Sequence, residues 1–366
     1  MKKLLLVCAL FFGGCSDIWD YPLSKYCDDG DAQACHKLSE SYWFGGKLMI
    51  KYLTKACDNG HYEDCFSLGW GYHKAQHGAK QDFAKAREYY EKGCNGGEYK
   101  SCLNLGNLYY DGNGVEADRS KALEYYEKMC DNKGGDGCYT LGAMYYHGSN
   151  VEQNYTKAIE FFDKMCNDGG VRGCSVLAEM YKNGTIVKQE TAKALAYYKK
   201  MCDNDDGGGC FTAGYFYEQG TGVKQDFVKA REYYEKACEK RYRSGCVNLG
   251  VLYENGKGTK KNIAKAHEYY EKACDNGSKS GCFNLGALYF NGKEMEQDYT
   301  KAAHYFERSC DKENGEACLF LGDLHYNGKG VEQNRQKAKE YIAKACELNH
   351  EDACKTYEDI SRKIEN

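Results

Sequence analysis

The sequence has a single proline, Pro22, in 366 residues. Proline is the strongest helix breaker, so a chain this poor in it, with 34 tyrosines and 42% apolar residues, suits tyrosine-rich helices with few interruptions. Long apolar runs are also lacking. After Phe12 no stretch approaches the roughly 20 residues that span a bilayer, so no transmembrane segment is expected. There is no basic excess either. Net charge is −4 and no polybasic run occurs, which removes the electrostatic footprint for nucleic acid and for an anionic membrane surface. Catalytic motifs are missing too: there is no G-x-S-x-G elbow, phosphate-binding glycine loop or H-E-x-x-H.

Cysteine, by contrast, is abundant, at 22 residues. Pairs eight apart recur at Cys27/Cys35, Cys57/Cys65, Cys94/Cys102, Cys130/Cys138, Cys166/Cys174, Cys202/Cys210, Cys238/Cys246, Cys274/Cys282, Cys310/Cys318 and Cys346/Cys354. From Cys94 onward each pair follows the last by 36 residues, whereas the first two steps are 30 and 37. A fixed period in this range marks a solenoid of supersecondary units, none of which buries its apolar face alone.

Lys2 and Lys3, the apolar run from Leu4 to Phe12, and Gly13 with Gly14 read as an export signal over residues 1–15. Phe12-Gly13-Gly14-Cys15 also resembles a lipoprotein cleavage box. Export is therefore expected in one of two forms: free, as a secreted or periplasmic protein, or lipid-anchored through Cys15. With the leader gone, 20 cysteines in ten local pairs remain. Even, regular cysteines behind a signal read as disulfides formed in an oxidising compartment. The rival reading is zinc, whose structural sites want two to four residues between cysteines; here seven intervene. A disulfide closing so short a loop contributes about 2.5 kcal/mol on chain entropy.

The pattern inside a repeat predicts a helix hairpin. Leu249, Leu252 and Tyr253 follow Cys246 at offsets three, six and seven, one face of a 3.6-residue helix. Gly250 sits mid-helix among them. Glycine there costs about 1 kcal/mol against alanine, so close crossing by the partner helix is the simplest reason for it. Gly256 suits the left-handed stop of this first helix. Asp226, Asn262, Asp298 or Asn334 then caps the second, whose buried stripe reads Ala266, Tyr269, Tyr270 and Ala273. The segment Asp17 to Cys27 reads as irregular. The expected layout is a cap and irregular first repeat over 16–64, a regular array over 65–353, and a capping helix over 354–366 with Tyr357, Ile360 and Ile364 on one face.

L-G-x-L-Y-x-x-G followed by K-A-x-x-Y-Y-E-K-A-C at this period resembles the Sel-one-like repeat, a longer relative of the tetratricopeptide repeat. With the cysteine spacing and leader, the chain is similar to the secreted Helicobacter cysteine-rich proteins. The resemblance implies an all-α, right-handed α/α solenoid of about nine disulfide-linked hairpins with a concave groove. It also implies two competing roles: binding of peptides or proteins, host proteins among them, and penicillin binding with slow β-lactam hydrolysis. A monomer without cofactor or metal is expected.

Two motifs bear on chemistry. Ser309-Cys310-Asp311-Lys312 places a lysine three residues after a serine, the spacing of serine β-lactamase chemistry, but at a cysteine pair and without the companion motifs. His73 and His77 stand four apart and would share a face if their helix continues; two such histidines read as bystanders. A recurring stripe is the stronger signal. Offsets two, five and nine of the first helices carry Asn104 and Asn107, Tyr215, Asn248 and Asn255, Asn284 and Asn291, and Asn327. Amides donate and accept, so such a ladder suits an extended peptide backbone. The same amides could instead bond to neighbouring repeats and stabilise the stack. Asn104, Asn248 and Asn284, at offset two, are the expected main-chain anchors.

Overall fold

The computed structural model describes residues 17–42, 46–131, 135–149, 151–292 and 295–365. The leader and Cys15 lie outside them. Twenty α-helices and no strand occur among the described residues, and no helix there is long and apolar enough to cross a membrane. The chain divides into two compact units, residues 1–173 and 174–366.

In the first unit the helices Ala32–Ser41 and Lys47–Asp58, Tyr62–Lys74 and Phe83–Asn95, Tyr99–Asp111 and Arg119–Asp131, and Gly135–His147 and Tyr155–Asn167 form successive hairpins. In the second, hairpins pair Gly207–Gln219 with Phe227–Glu239, Arg243–Asn255 with Ile263–Asp275, Lys279–Asn291 with Tyr299–Cys310, and Gly315–Asn327 with Arg335–Glu347. Within each unit a helix packs chiefly on the one before and the one after it, which is α/α-solenoid packing.

Local chemistry accounts for the hairpins. The side chains of Asp226, Asn262, Asp298 and Asn334 each accept a hydrogen bond from the backbone N–H three residues on, starting the second helices. Gly256 ends its helix with φ 67°, a conformation that costs glycine no Cβ clash. Leu249, Leu252 and Tyr253 are buried, as are Ala266, Tyr270 and Ala273. Tyr269 departs from the expected stripe. It is only partly buried and stacks on Tyr253 with ring centroids 5.6 Å apart.

Gly250 has the predicted reason. A methyl group there would lie 2.5 Å from Cε1 of Tyr270 on the facing helix. Gly106 meets Tyr126, and Gly286 meets Phe306, in the same way. The bare backbone of each first helix is thus the floor on which a buried ring of the second helix lies.

All 20 paired cysteines are disulfide-bonded, Cys166 and Cys174 among them. The bridges Cys27–Cys35, Cys57–Cys65, Cys94–Cys102, Cys130–Cys138, Cys202–Cys210, Cys238–Cys246, Cys274–Cys282, Cys310–Cys318 and Cys346–Cys354 each join partners eight residues apart. Each of these ties the end of one second helix to the next first helix, as Cys274–Cys282 does with Cα atoms 4.5 Å apart.

Burial decides what these cysteines can do. Cys102, Cys138, Cys174 and Cys210, each in the first turns of a first helix, are at most 1% exposed. Cys35, Cys65, Cys246, Cys282 and Cys318 are as deeply buried in the equivalent place. A sulfur closed off in this way packs as a small apolar group. These disulfide residues are therefore core struts, while Cys346 and Cys354 are only partly buried.

Three expectations about the ends and the second repeat need correction. The opening segment is a helix, Asp17–Asp28, despite Pro22. Leu23 and Cys27 pack beneath Cys35 and Leu38, and that burial holds the segment helical. The final helix starts at Glu351 rather than Cys354, and Tyr357 packs on the core; the side chains of Ile360 and Ile364 lie outside the described ones. Finally, the helix Tyr62–Lys74 stops at Ala75 in a left-handed conformation, so His77 does not share a face with His73.

Candidate binding face of the first helices

The buried ring of each second helix brings a polar problem with it. Where that ring is tyrosine, its hydroxyl needs a partner, and the facing first helix supplies one. In the second unit the Tyr234 hydroxyl donates to Oε2 of Glu218 at 2.5 Å, and that of Tyr270 to Oε2 of Glu254 at 2.6 Å. Tyr198 likewise donates to Oε1 of Glu179 at 2.5 Å. In the first unit Tyr126 donates to Oδ1 of Asn107 at 2.5 Å, and Tyr90 pairs with Nδ1 of His73 at 3.4 Å.

Two of the predicted amides join this arrangement. Asn248 lies close enough to the Tyr234 hydroxyl, and Asn284 to that of Tyr270, for hydrogen bonding to oppose the rise in each tyrosine pKa. Since each O–H is already given to a carboxylate, the amide N–H must be the donor. The result is a polar chain, Asn248 to Tyr234 to Glu218, repeated as Asn284 to Tyr270 to Glu254. It leaves the amide oxygen and one N–H of each asparagine outside the chain. Burial raises both tyrosine pKa values strongly, the carboxylate adds to the rise, and the amide opposes it.

The other predicted residues behave differently. Asn104 turns back to the Lys100 carbonyl at 2.8 Å, and Asn255 to that of Val251 at 2.9 Å. Asn327 bonds Asp323 through both backbone and carboxylate. Tyr215 and Asn291 are exposed. Bonds within their own helices thus account for part of the stripe, and the chains through Asn248 and Asn284 stand apart from it. Sequence reasoning passed over the carboxylate partners Glu179, Glu218 and Glu254.

The serine–lysine motif is dismantled by its surroundings. Ser309 is fully buried and donates to the Lys279 carbonyl at 2.8 Å. Its helix ends at Cys310, so Lys312 does not stand one helical turn along the same face.

Comparison with known proteins fits this geometry. The Sel1 repeat model matches residues 50–61, 63–98, 100–133, 135–170, 171–206, 209–242, 243–278, 279–314 and 315–350. The chain belongs to the Sel1 repeat family. Among solved structures it is similar to a Sel1 repeat protein from Oxalobacter formigenes, at 23% identity over 87% of this chain and 92% of that one, with a TM-score of 0.61. It is also similar to cysteine rich protein B of Helicobacter pylori, at 38% identity over 37% of this chain and 97% of that one, with a TM-score of 0.29. No curated protein matches it.

In the second unit the first helices carrying Asn248 and Asn284 thus present a semi-polar face, with each amide beside a buried tyrosine whose hydroxyl is held by a carboxylate. Elsewhere among the described residues, His36, His61 and Asp64 cluster in the first unit. Burial raises the pKa of Asp64, and hydrogen bonding from His36 together with the nearby charges of His36 and His61 opposes that rise.

Proposed function

We propose that this Sel1 repeat protein is an exported binding scaffold, holding an extended peptide or protein segment along the polar face of its first helices. The observation that carries the reading is the repeated chain Asn–Tyr–Glu at Asn248 and Asn284. A buried tyrosine fixed at both ends orients each amide before a ligand arrives, so little ordering cost falls on binding. The remaining amide oxygen and N–H match the acceptor and donor pair that a backbone offers in every residue. Two such stations are 36 residues apart in the chain, the separation of adjacent repeats. Extracytoplasmic residence follows from the disulfides, which persist in oxidising compartments.

The test is selection of ligands from a displayed library of random peptides, followed by calorimetry on the enriched sequences. Asn248→Ala with Asn284→Ala should weaken binding by about 1 kcal/mol for each direct bond lost. Tyr234→Phe and Tyr270→Phe, which touch no ligand, should also weaken it by loosening the amides. Absence of any enriched peptide, or unchanged affinity in the paired asparagine variant with an intact helical spectrum, would defeat the proposal.

A further inference from the structure

Across the repeats, the residue just before the first-helix cysteine is small because it packs against the preceding second helix. Ala34, Ser101, Gly245, Gly281 and Ala317 occupy this slot, and a methyl at Gly245 would lie 2.6 Å from Cβ of Ala237. One repeat breaks the pattern. Asp64 stands there, with its side chain 3% exposed. A buried carboxylate is costly unless a cation or several donors face it, and nothing in the hairpin fold calls for it.

The groups that face it are two imidazoles. Nδ1 of His36, from the helix Ala32–Ser41, lies 3.0 and 3.1 Å from the two Asp64 oxygens. Nδ1 of His61, the residue capping Asp64's own helix, lies 3.0 Å from Oδ2. The rings are stacked with centroids 4.4 Å apart. His61 Nδ1 is buried and forms no aligned hydrogen bond, although the oxygen is within reach. Nε2 of His36 points its other side at Glu40, 3.7 Å away.

Two ordinary arrangements fit this poorly. If both rings were imidazolium, two stacked cations would share one carboxylate. If both were neutral Nδ1–H donors, the His61 N–H would be buried and misaligned. Donor atoms around a tetrahedral ion behave otherwise. With metal–nitrogen and metal–oxygen bonds near 2.0–2.2 Å, they sit about 3.3 Å apart, their lone pairs converging on a shared point rather than on one another. His61 Nδ1 and Asp64 Oδ2, 3.0 Å apart without an aligned hydrogen bond, are compatible with that arrangement, and the donor atoms of all three residues lie within 4.8 Å of one another. The Glu40 carboxylate, 3.7 Å from His36 Nε2, stands one small side-chain movement from the outer-partner position that fixes a metal-binding tautomer.

We propose that His36, His61 and Asp64 form a site for one divalent transition-metal ion of the zinc class, with His36 and His61 donating through Nδ1, Asp64 through carboxylate oxygen, and Glu40 orienting His36. Two nitrogens and one oxygen are a borderline donor set, suited to Zn(II) and Co(II) rather than to Ca(II) or Mg(II). Three protein ligands leave a coordination position for water. The ion would clamp the first hairpin to the second in a part of the chain where the repeat spacing is irregular, and it departs from the expectation of a metal-free protein.

The experiment is titration of Zn(II) into the full-length oxidised protein by calorimetry, with Co(II) absorption reporting coordination geometry and a free-thiol assay confirming that no cysteine contributes. One equivalent should bind, and thermal stability should rise with zinc and return on chelation. His36→Gln and Asp64→Asn should each weaken binding by about tenfold or more, while His73→Gln, away from the cluster, should not. His36→Gln alters a partly exposed side chain, so it remains informative if the buried Asp64 variant folds poorly. Absence of saturable binding by the parent protein, or binding unchanged by His36→Gln, overturns the assignment.

Discussion

Replacing Gly250 by alanine tests what sets the spacing of the hairpins. At an ordinary mid-helix position the change would stabilise by about 1 kcal/mol. Here the new methyl would fall 2.5 Å from Cε1 and 2.7 Å from Cδ1 of Tyr270, a ring that is 1% exposed and sits in a close-packed interior. Forcing it aside costs about 1–3 kcal/mol as overpacking. The displaced ring would also strain or break its 2.6 Å bond to Glu254, and a hydrogen bond to a charged group contributes about 1.5–3 kcal/mol. Glu254 keeps some contact with water, so the lower end of that range applies. The net expectation for Gly250→Ala is a loss of about 2–3 kcal/mol, with the sign opposite to helix propensity.

Denaturant unfolding of the parent protein, Gly250→Ala and three further variants separates the contributions. Tyr270→Phe removes only the hydroxyl and should cost about 1–2 kcal/mol. Gly286→Ala meets Phe306, whose nearest atom would be 2.8 Å from the methyl. With no hydroxyl at stake, it should cost less than Gly250→Ala. Gly250→Ala combined with Tyr270→Leu should recover part of the loss, because the smaller side chain can yield. If Gly250→Ala is as stable as the parent or more so, the ring does not fix the helix separation and the reasoning fails.

Two further outcomes follow from the buried polar groups. Tyrosines whose folded pKa lies above the unfolded value of 10 stabilise the fold below pH 10 and lose that contribution as pH rises through the folded pKa. Burial pushes Tyr233 and Tyr269 up to about 12, so stability should hold to pH 10 and decline toward pH 12. An ultraviolet tyrosinate titration showing every tyrosine ionising together near pH 10, with the fold retained, would contradict this. Turnover of a chromogenic cephalosporin by purified protein, if detected, should be unaffected by Ser309→Ala, since that hydroxyl is buried and already donates to Lys279; activity abolished by the change, with folding intact, would restore the serine mechanism.

The repeat architecture was legible because its causes are local and periodic. A cysteine, a leucine three residues on and a glycine after that recur often enough to phase every helix, and Asp226 or Asn262 caps within its own three-residue neighbourhood. The polar chains needed a comparison between repeats. Where the buried ring is Tyr234 or Tyr270, the facing first helix carries Glu218 or Glu254 at offset eight; where it is Tyr126 or Tyr198, Asn107 or Glu179 stands one turn earlier, at offset five. Where the ring is Phe162 or Phe306, those two offsets hold Ala143 and Tyr146, or Ala287 and Phe290. In the repeats with an aromatic ring, hydroxyl and acceptor go together, whereas Asp323 stands at offset five opposite Ile342 and accepts from Asn327 instead; the pairing was written in the chain, although two positions 16 or 19 residues apart do not announce themselves as neighbours. The His36, His61 and Asp64 cluster was not legible in that way. It occurs once, in the stretch where the 30-residue and 37-residue steps break the period, and its members come from two successive first helices, Ala32–Ser41 and Tyr62–Lys74 with its capping residue. The one clue was compositional: an aspartate in a slot that elsewhere holds glycine, alanine or serine. A solenoid built from copies places its unique chemistry where the copies differ, and the same comparison that fixes the fold is the one that exposes the exception.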